Sequence, residues 1–219
     1  TMSSMVIAAS GVPVIKHGGR AASAKSGASD VLTALGAVHG STTEGLAKVF
    51  EETGMTFLFA SLFHPGFAHA APVRSQLGVS TVFNYLGPLT NPARAEASAV
   101  GVAKREAIPL IVGVFRTRGA AALVFRGDDG LDELTTTTTS SVWIVADGSV
   151  RYEQLDPADL GIPRATPEAL RGGDVEFNAR VVREFLDGRP GPVTIVVGVS
   201  RKATGCSTAA SSAGTQAPK

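Results

Sequence analysis

The residues with the clearest chemical potential lie together in residues 16–30. This segment carries three cations, Lys16, Arg20 and Lys25, beside His17, and glycines and serines fill the spaces between them. An apolar run precedes the segment and a helix-like pattern follows it. A strand, a glycine-rich loop and a helix in this order present backbone N–H groups to an anion. The segment therefore predicts a phosphate or diphosphate site, with a solvated basic loop as the alternative.

A second candidate segment is acidic. Residues 128–133 contain four carboxylates, Asp128, Asp129, Asp132 and Glu133, and they follow a predicted strand. Ligands of α/β proteins usually bind at the carboxyl ends of strands. The adjacent Asp132 and Glu133 suit Mg²⁺, which takes one or two carboxylates together with water and substrate phosphates. A solvated acidic turn is the alternative. The two segments complement each other, because diphosphate needs positive charge and its metal needs carboxylates.

Further polar candidates are less specific. Arg74 lies on a short helix predicted over residues 72–78, and its guanidinium offers a planar fork for a carboxylate. By itself, a single helical arginine is usually a surface residue. The hydroxyls of residues 135–139 predict an edge strand with polar outward positions. No spacing typical of a metal site is found among the other histidines, His39, His64 and His69.

Composition limits the class of protein. The chain has 219 residues, 44% of them hydrophobic and 18% charged, which is typical of a globular protein with one substantial core. Lysine and arginine number 20 against 19 acidic residues, a balance that argues against a nucleic-acid surface. The one cysteine, Cys206, excludes an intramolecular disulfide. Apolar runs are shorter than the roughly 18–20 residues of a membrane span, so we expect a cytoplasmic protein.

The elements that position these segments alternate between strand and helix. Strands are predicted over residues 97–102 and 120–125, with a helix over 108–117 between them. A hairpin with strands at 142–145 and 150–152 follows. These patterns predict an α/β fold: a mostly parallel central sheet flanked by helices, with part of a small helical domain.

Helix ends are indicated by capping residues. A helix follows the capping-box spacing of Ser41 and Glu44 and ends at Gly54. Another begins after Asp174 and ends at Gly188. Residues 87–92 are rich in glycine and proline and predict a loop.

Taken together, these segments resemble the anthranilate phosphoribosyltransferases of the nucleoside phosphorylase/phosphoribosyltransferase family. The resemblance extends over about residues 1–190 in the family's order. The runs that carry it are residues 11–18, 20–23, 25–27, 30–32, 57–60, 63–65, 71–74, 84–92 and 127–133.

The resemblance implies transfer of phosphoribose from phosphoribosyl pyrophosphate (PRPP) to the amine of anthranilate, with Mg²⁺ and release of diphosphate, in tryptophan biosynthesis. It implies metal ligation by Asp132 and Glu133, and anthranilate binding by Arg74, His17 and Gly19. The positions that match its PRPP site are Thr1, Lys16, His17, Gly18, Gly19, Arg20, Ala21, Ala22, Ser23, Ala24 and Ala28.

The resemblance also implies an organisation into domains and a homodimer. Residues 1–40 and 80–192 would form an α/β domain, and 41–79 helices of the small domain. The composition of the last residues, mostly Ser, Thr, Ala and Gly, predicts that 193–219 are a divergent, disordered tail. The family's other glycine-rich loop has no counterpart in this sequence, and the family usually has asparagine where this chain has Gly19. We therefore expect the chain to correspond to the middle of the enzyme.

Two alternatives stay open. A pyrimidine nucleoside phosphorylase-like enzyme would use phosphate and a nucleoside, but the Lys-His-Gly and Asp-Gly-Leu-Asp-Glu motifs favour the transferase. A non-catalytic relative that binds nucleic acid is disfavoured by the near-neutral charge.

Overall fold

The computed structural model describes residues 1–19, 26–37, 42–79 and 81–193, and it has a mixed α/β architecture. Short 3₁₀ turns lie at Arg105–Ala107, Pro157–Leu160 and Pro167–Leu170. Within the described residues the other elements are α1 (Met2–Ala9), β1 (Val14–Gly18), α2 (Ala28–Ala34), α3 (Thr43–Thr53), β2 (Met55–Phe59), α4 (Ala60–Phe63), α5 (Phe67–Leu77), α6 (Phe83–Leu89), β3 (Ala97–Gly101), α7 (Ile108–Arg118), β4 (Ala121–Gly127), β5 (Ser140–Ala146), β6 (Ser149–Leu155) and α8 (Val175–Leu186).

The strands form two sheets. β1 and β2 pair in parallel, from Val14 opposite Met55 to Gly18 opposite Phe59. The second sheet has the order β3-β4-β5-β6, and β3 and β4 pair in parallel across the crossover through α7. Both parallel pairs agree with the predicted α/β class.

The second sheet is less parallel than the sequence pattern predicted. β5 is antiparallel to both β4 and β6. The reason is the connections, since a parallel neighbour needs a long crossover, usually through a helix. The loop from β4 to β5 contains no helix. The β5–β6 turn at Asp147 and Gly148 has φ of 50° and 71°, which confirms the predicted hairpin turn.

The main core lies between α7 and the second sheet. Ile108, Ile111, Val112 and Phe115 are buried at the i, i+3, i+4, i+7 spacing of one helix face, against Val124 of β4. This confirms the predicted helix. Because α7 connects the carboxyl end of β3 to the amino end of β4, its packing holds these two strands in place on the sheet.

Three local predictions were wrong. α5 begins at Phe67 rather than at residue 72, because a turn with hydrogen bonds from Phe67 N to the carbonyl of His64 starts it earlier. α6 includes Gly87 and Pro88, which were assigned to a loop; Pro88 lies one residue before the helix end and removes only one helical hydrogen bond.

The third wrong prediction is the edge strand at residues 135–139. Thr135 and Thr136 are fully buried in a loop, and β5 begins only at Ser140. The Thr135 N–H donates to the Ser140 hydroxyl at 3.0 Å, and the carbonyl of Thr136 accepts from Ala165 N. Hydrogen bonds with a serine side chain and with another loop therefore replace the backbone hydrogen bonds that a strand would make here.

The helix caps follow the local sequence. Thr42 caps α3 and accepts from Gly45 N, and α3 ends at Gly54 with φ of 70°. Ser41 of the predicted capping box lies outside the described residues. Asp174 caps α8 and accepts from Phe177 N, as predicted.

One pair of strands joins two of the predicted domains. β2 lies inside the range 41–79 and pairs with β1 of the range 1–40. The division into domains stays a prediction. The tail after Val193 lies outside the described residues. None of the described helices combines the length and the apolar character needed to cross a bilayer.

Candidate active site

The end of β1 meets the start of α2, as the pattern of strand, loop and helix predicted. The Ser29 hydroxyl donates to the Gly19 carbonyl at 3.0 Å. The N–H of Gly27, the residue before α2, donates to the Asp30 carboxylate at 2.8 Å. Ala28, a predicted PRPP contact, is the first residue of α2. The predicted contacts Arg20, Ala21, Ala22, Ser23 and Ala24 lie outside the described residues.

Lys16 on β1 is half-buried and has no acidic group within ion-pair distance in the described part of the chain. Burial lowers the pKa of its ammonium group, whereas the negative charge of Glu133 raises it. Lys16 and Glu133 therefore lie in one electrostatic neighbourhood although 117 positions separate them. A partly desolvated cation without an ion-pair partner is costly, and an anionic ligand would relieve this cost.

Thr1 lies in the same neighbourhood. Thr1, the residue before α1, is half-buried and lies close enough to Lys16 and Glu133 to be affected by their charges. The structure thus brings together a predicted PRPP contact at the start of α1, a second on β1 and a predicted metal ligand from the loop after β4. Their roles stay predictions.

The first two carboxylates of the acidic loop hold the loop together. Asp128 accepts hydrogen bonds from the hydroxyls of Thr139 and Ser141 and from the Gln154 amide. Burial raises the pKa of Asp128, but these hydrogen bonds outweigh it and the net pKa is lowered.

Asp129 is held in the same way. Thr137 donates its hydroxyl to one carboxylate oxygen at 2.5 Å, and Leu131 N donates to the other at 3.1 Å. Its pKa is also lowered, with burial acting against these hydrogen bonds. The threonines that were predicted to face solvent therefore support this loop.

Asp132 and Glu133 differ from that pair. Both are exposed, and neither carboxylate makes a hydrogen bond or ion pair within the described ranges. Their position follows from two glycines at strand ends. A Cβ on Gly101, the last residue of β3, would overlap the Asp132 carbonyl oxygen, and a Cβ on Gly127, at the end of β4, would overlap the Asp129 carboxylate.

The donor set of Asp132 and Glu133 fits Mg²⁺. Two unengaged carboxylates supply hard oxygen ligands, and water and substrate phosphates can complete the octahedron. Across the described ranges, no group of three or more His, Cys, Asp or Glu side chains is arranged to hold a metal. Beyond the two carboxylates, a metal here would take its remaining ligands from water or from substrate phosphates.

His17 and Arg74 are joined by a row of rings. The ring of His17 meets His64 edge-on, with centroids 5.0 Å apart, and His64 stacks on Phe67 at 5.1 Å. Phe67 meets Phe83 edge-on at 5.3 Å, and the Arg74 guanidinium lies 5.5 Å from the Phe83 centroid. We call these five residues the aromatic row. It links two of the three predicted anthranilate contacts, His17 on β1 and Arg74 on α5.

The histidines of the row have unused nitrogens. The Nε2 atoms of His17 and His64 are buried and have no hydrogen-bond partner in the described structure. Burial lowers the pKa of His17, His64 lowers it further, and a hydrogen bond with the Gly87 backbone raises it. A neutral His17 can therefore offer Nε2 to a ligand at neutral pH.

Sequence reasoning missed part of this row. His64, Phe67 and Phe83 had no assigned role, because their contacts come from separate helices and no spacing indicates them. It also missed Gly101, whose place at the end of a predicted strand was an available signal. The third predicted anthranilate contact, Gly19, has room for a side chain, because a Cβ there would lie 3.8 Å from the Ala60 methyl.

Two surface cavities lie away from these residues. One, of about 630 Å³, lies between the end of α6 and α7 around Leu89, Phe115 and Arg118. The other, of about 430 Å³, is lined by Ile108, Trp143 and Tyr152. Neither is lined by a predicted site residue, so the candidate site rests on charge and contacts rather than on a cavity.

Comparison with known proteins finds a matching family model and similar sequences. The model of the glycosyl transferase family, a/b domain, matches residues 1–215. The chain belongs to this family. It is 68% identical over 193 residues to an anthranilate phosphoribosyltransferase of Thermobifida fusca, covering 88% of this chain and 56% of the relative. An anthranilate phosphoribosyltransferase of Clavibacter michiganensis is 61% identical over 197 residues, 90% of this chain and 56% of the relative.

Solved structures agree. The anthranilate phosphoribosyltransferase of Thermus thermophilus superposes with a TM-score of 0.85 at 42% identity, covering 94% of this chain and 63% of that chain. The Saccharomyces cerevisiae enzyme in complex with PRPP and Mg gives a TM-score of 0.82 at 27% identity, covering 93% of this chain and 59% of that chain. The chain thus spans just over half the length of the curated relatives it matches, 56% in the first case.

Proposed function

We propose that this chain carries the catalytic centre of an anthranilate phosphoribosyltransferase, a pentosyltransferase that joins PRPP and anthranilate with Mg²⁺. The proposal is supported by family membership and by the names of the similar proteins. Its main structural support is one observation: the half-buried Lys16 lies near the unengaged carboxylate of Glu133 without forming an ion pair.

This juxtaposition suits a diphosphate better than a neutral ligand. Lys16 would contact phosphate oxygens and gain an anionic partner, which stabilises its charged form. Asp132 and Glu133 would repel the same phosphates unless a cation lay between them. When bound there, Mg²⁺ would supply positive charge that stabilises the departing diphosphate.

The reaction needs no covalent enzyme intermediate. The anthranilate nitrogen forms a bond to C1 of the ribose while the bond from C1 to the diphosphate oxygen breaks. Diphosphate leaves with the electron pair, and the new secondary amine loses a proton. The protein's part is to hold the two substrates together and to stabilise developing charge, which Lys16 does at the leaving group.

The aromatic row would hold the other substrate. The Arg74 guanidinium can bind a carboxylate with two parallel hydrogen bonds, and it has no acidic partner among the described side chains. The neighbouring rings of Phe67 and Phe83 offer stacking surfaces for a planar ring. His17, at the other end of the row, adjoins Lys16 in the chain and connects this region to the PRPP region.

We further propose that the whole protein is a cytoplasmic homodimer that acts in tryptophan biosynthesis. Exposed apolar side chains on α4 and α5 support a dimer contact in the range 41–79, since Leu62, Val73 and Leu77 are each about half exposed. The balanced charge gives no support to nucleic-acid binding.

Calorimetry of PRPP binding tests the proposal. Affinity should be at least about tenfold higher with Mg²⁺ than with EDTA, equivalent to about 1.4 kcal/mol, because the acidic pair repels phosphates without a cation. Equal affinity in both buffers would remove the metal assignment.

Arg74→Ala tests the anthranilate end. Loss of a charged hydrogen-bond pair should weaken anthranilate binding by roughly tenfold and leave PRPP binding within about twofold. Arg116→Ala, on the exposed side of α7, is the matched control and should change neither. Equal losses for both substrates in Arg74→Ala would mean that Arg74 supports the fold instead.

A further inference from the structure

Helix α8 is attached to α2 at three levels. At the start of α2, the Asn178 amide donates to the Ser26 hydroxyl at 2.7 Å. In the middle, Ala179 and Val182 pack on Val31 in a small core cluster. At the end, a guanidinium nitrogen of Arg183 donates to the Ala34 carbonyl at 2.8 Å. The two polar contacts thus lie at opposite ends of the short helix.

The orientation of the Asn178 amide is fixed by its other partner. Gly173 N donates to Oδ1 at 3.0 Å, and Nδ2 donates to the Gly173 carbonyl at 3.1 Å. A flipped amide would turn its NH₂ group toward an N–H donor, so the contacts allow one orientation. The same Nδ2 then has its second hydrogen available for Ser26.

Gly173 is required for this arrangement. A Cβ at this position would lie 2.9 Å from the Phe177 ring, which is closer than real contacts allow. The turn before α8 therefore approaches the helix closely enough for Gly173 to bind the Asn178 amide on both sides. The Asn178 Nδ2 thus donates to both the Gly173 carbonyl and the Ser26 hydroxyl.

Ser26 lies close to predicted PRPP contacts. It stands two residues before Ala28, the predicted contact that begins α2, and α2 also holds Gly19, another predicted contact. Gly19 is held by the Ser29 hydroxyl, and Ser26 is held by Asn178. The predicted contact Gly19 is thus held from α2 itself, and the start of α2 is held from α8, 152 positions away in the sequence.

We propose that Asn178 is a positioning residue for PRPP binding: through Ser26 it holds the start of α2, where the predicted PRPP contact Ala28 lies. Asn178 itself does not touch substrate. The proposal rests on the proposed function for the identity of the ligand, but the anchoring contact is a property of the chain alone.

Ser26→Ala and Asn178→Ala remove the contact from either side. Each should weaken PRPP binding by about fivefold, the effect of one neutral hydrogen bond, and leave anthranilate affinity unchanged. The double variant should bind PRPP no more weakly than Asn178→Ala, because both changes remove the same contact. Arg183→Met is the matched control: it removes the polar contact at the far end of α2 and should lower thermal stability without changing PRPP affinity.

The decisive experiment measures PRPP and anthranilate affinities of these variants by calorimetry with Mg²⁺, beside their melting temperatures. The proposal is overturned if Ser26→Ala binds PRPP like the wild type. It is also overturned if Arg183→Met, at a similar loss of melting temperature, weakens PRPP binding as much as Ser26→Ala.

A separate readout covers failure of the proposed function. If the wild-type protein binds no PRPP, the function is wrong, and hydrogen exchange of residues 26–31 in the free proteins tests the anchor alone. Ser26→Ala should accelerate exchange there and Arg183→Met should not. Equal exchange in Ser26→Ala and the wild type would overturn the anchor as well.

Discussion

The loop after β4 carries two carboxylate pairs of the same charge. The first pair is held by hydrogen bonds, and the second pair is not. Asp128 and Asp129 are held by hydroxyl and amide donors from residues 131–154, which lower the pKa of both groups. Asp132 and Glu133 are exposed and make no hydrogen bond or ion pair with the described residues. The first pair uses its hydrogen-bonding capacity within the loop, and the second has that capacity available. A carboxylate's role therefore depends on the donors around it rather than on the local acidity of the sequence.

The largest expected effect comes from the glycine that supports the free pair. Gly101→Ala would place a methyl group where the Asp132 carbonyl lies, so the loop backbone must move. We expect a loss of about 3 kcal/mol in the free energy of unfolding and a loss of Mg²⁺-dependent PRPP binding. Chemical denaturation and calorimetry measure the two effects.

Gly113→Ala is the control for that change. Gly113 lies in α7, where an added Cβ meets nothing within 4 Å. It should stabilise the helix by about 0.5–1 kcal/mol, because alanine is the better helix former. Similar destabilisation by both variants would contradict the role given to Gly101.

The next effect concerns the first pair. Asp128→Asn should cost about 2 kcal/mol of stability at neutral pH, because charged acceptors make stronger hydrogen bonds than an amide oxygen. The pKa of Asp128 is lower in the folded protein than in the unfolded chain. The ionised carboxylate therefore stabilises the fold at pH values above the unfolded-state pKa, and this stabilisation is lost as pH falls through the folded-state pKa.

Denaturation curves at a series of pH values check this. The difference in unfolding free energy between wild type and Asp128→Asn should be constant near pH 6–7 and should shrink below about pH 4. Asp159→Asn, an exposed carboxylate in a 3₁₀ turn, should show no such difference. A constant difference down to pH 2 would mean that the carboxylate charge is not responsible.

Much of the fold was accessible from sequence where local signals act alone. The apolar spacing of α7, the Asp147-Gly148 turn and the Asp174 cap each depend on neighbours within a few residues. The start of α5 and the burial of Thr135 and Thr136 were not accessible, because contacts with other parts of the chain override the local preference. The antiparallel place of β5 likewise depends on a loop whose path the residue pattern does not encode.

The candidate site was likewise predictable from sequence only in part. Residue types predicted the basic segment around Lys16 and the acidic pair Asp132-Glu133, and the structure brings Lys16 close to Glu133. The aromatic row and the Asn178 anchor were missed. Both depend on contacts between distant elements, and His64 or Asn178 carries no signal of such a contact in its own neighbourhood.

The most direct test of the division between the two pairs is Asp132→Asn measured beside Asp128→Asn. PRPP affinity with Mg²⁺ and melting temperature are determined for both. Asp132→Asn should lower PRPP affinity by about tenfold, equivalent to about 1.4 kcal/mol, and leave stability within about 0.5 kcal/mol of wild type. Asp128→Asn should show the greater loss of stability. An Asp132→Asn protein that binds PRPP like the wild type, or that loses as much stability as Asp128→Asn, would contradict the account.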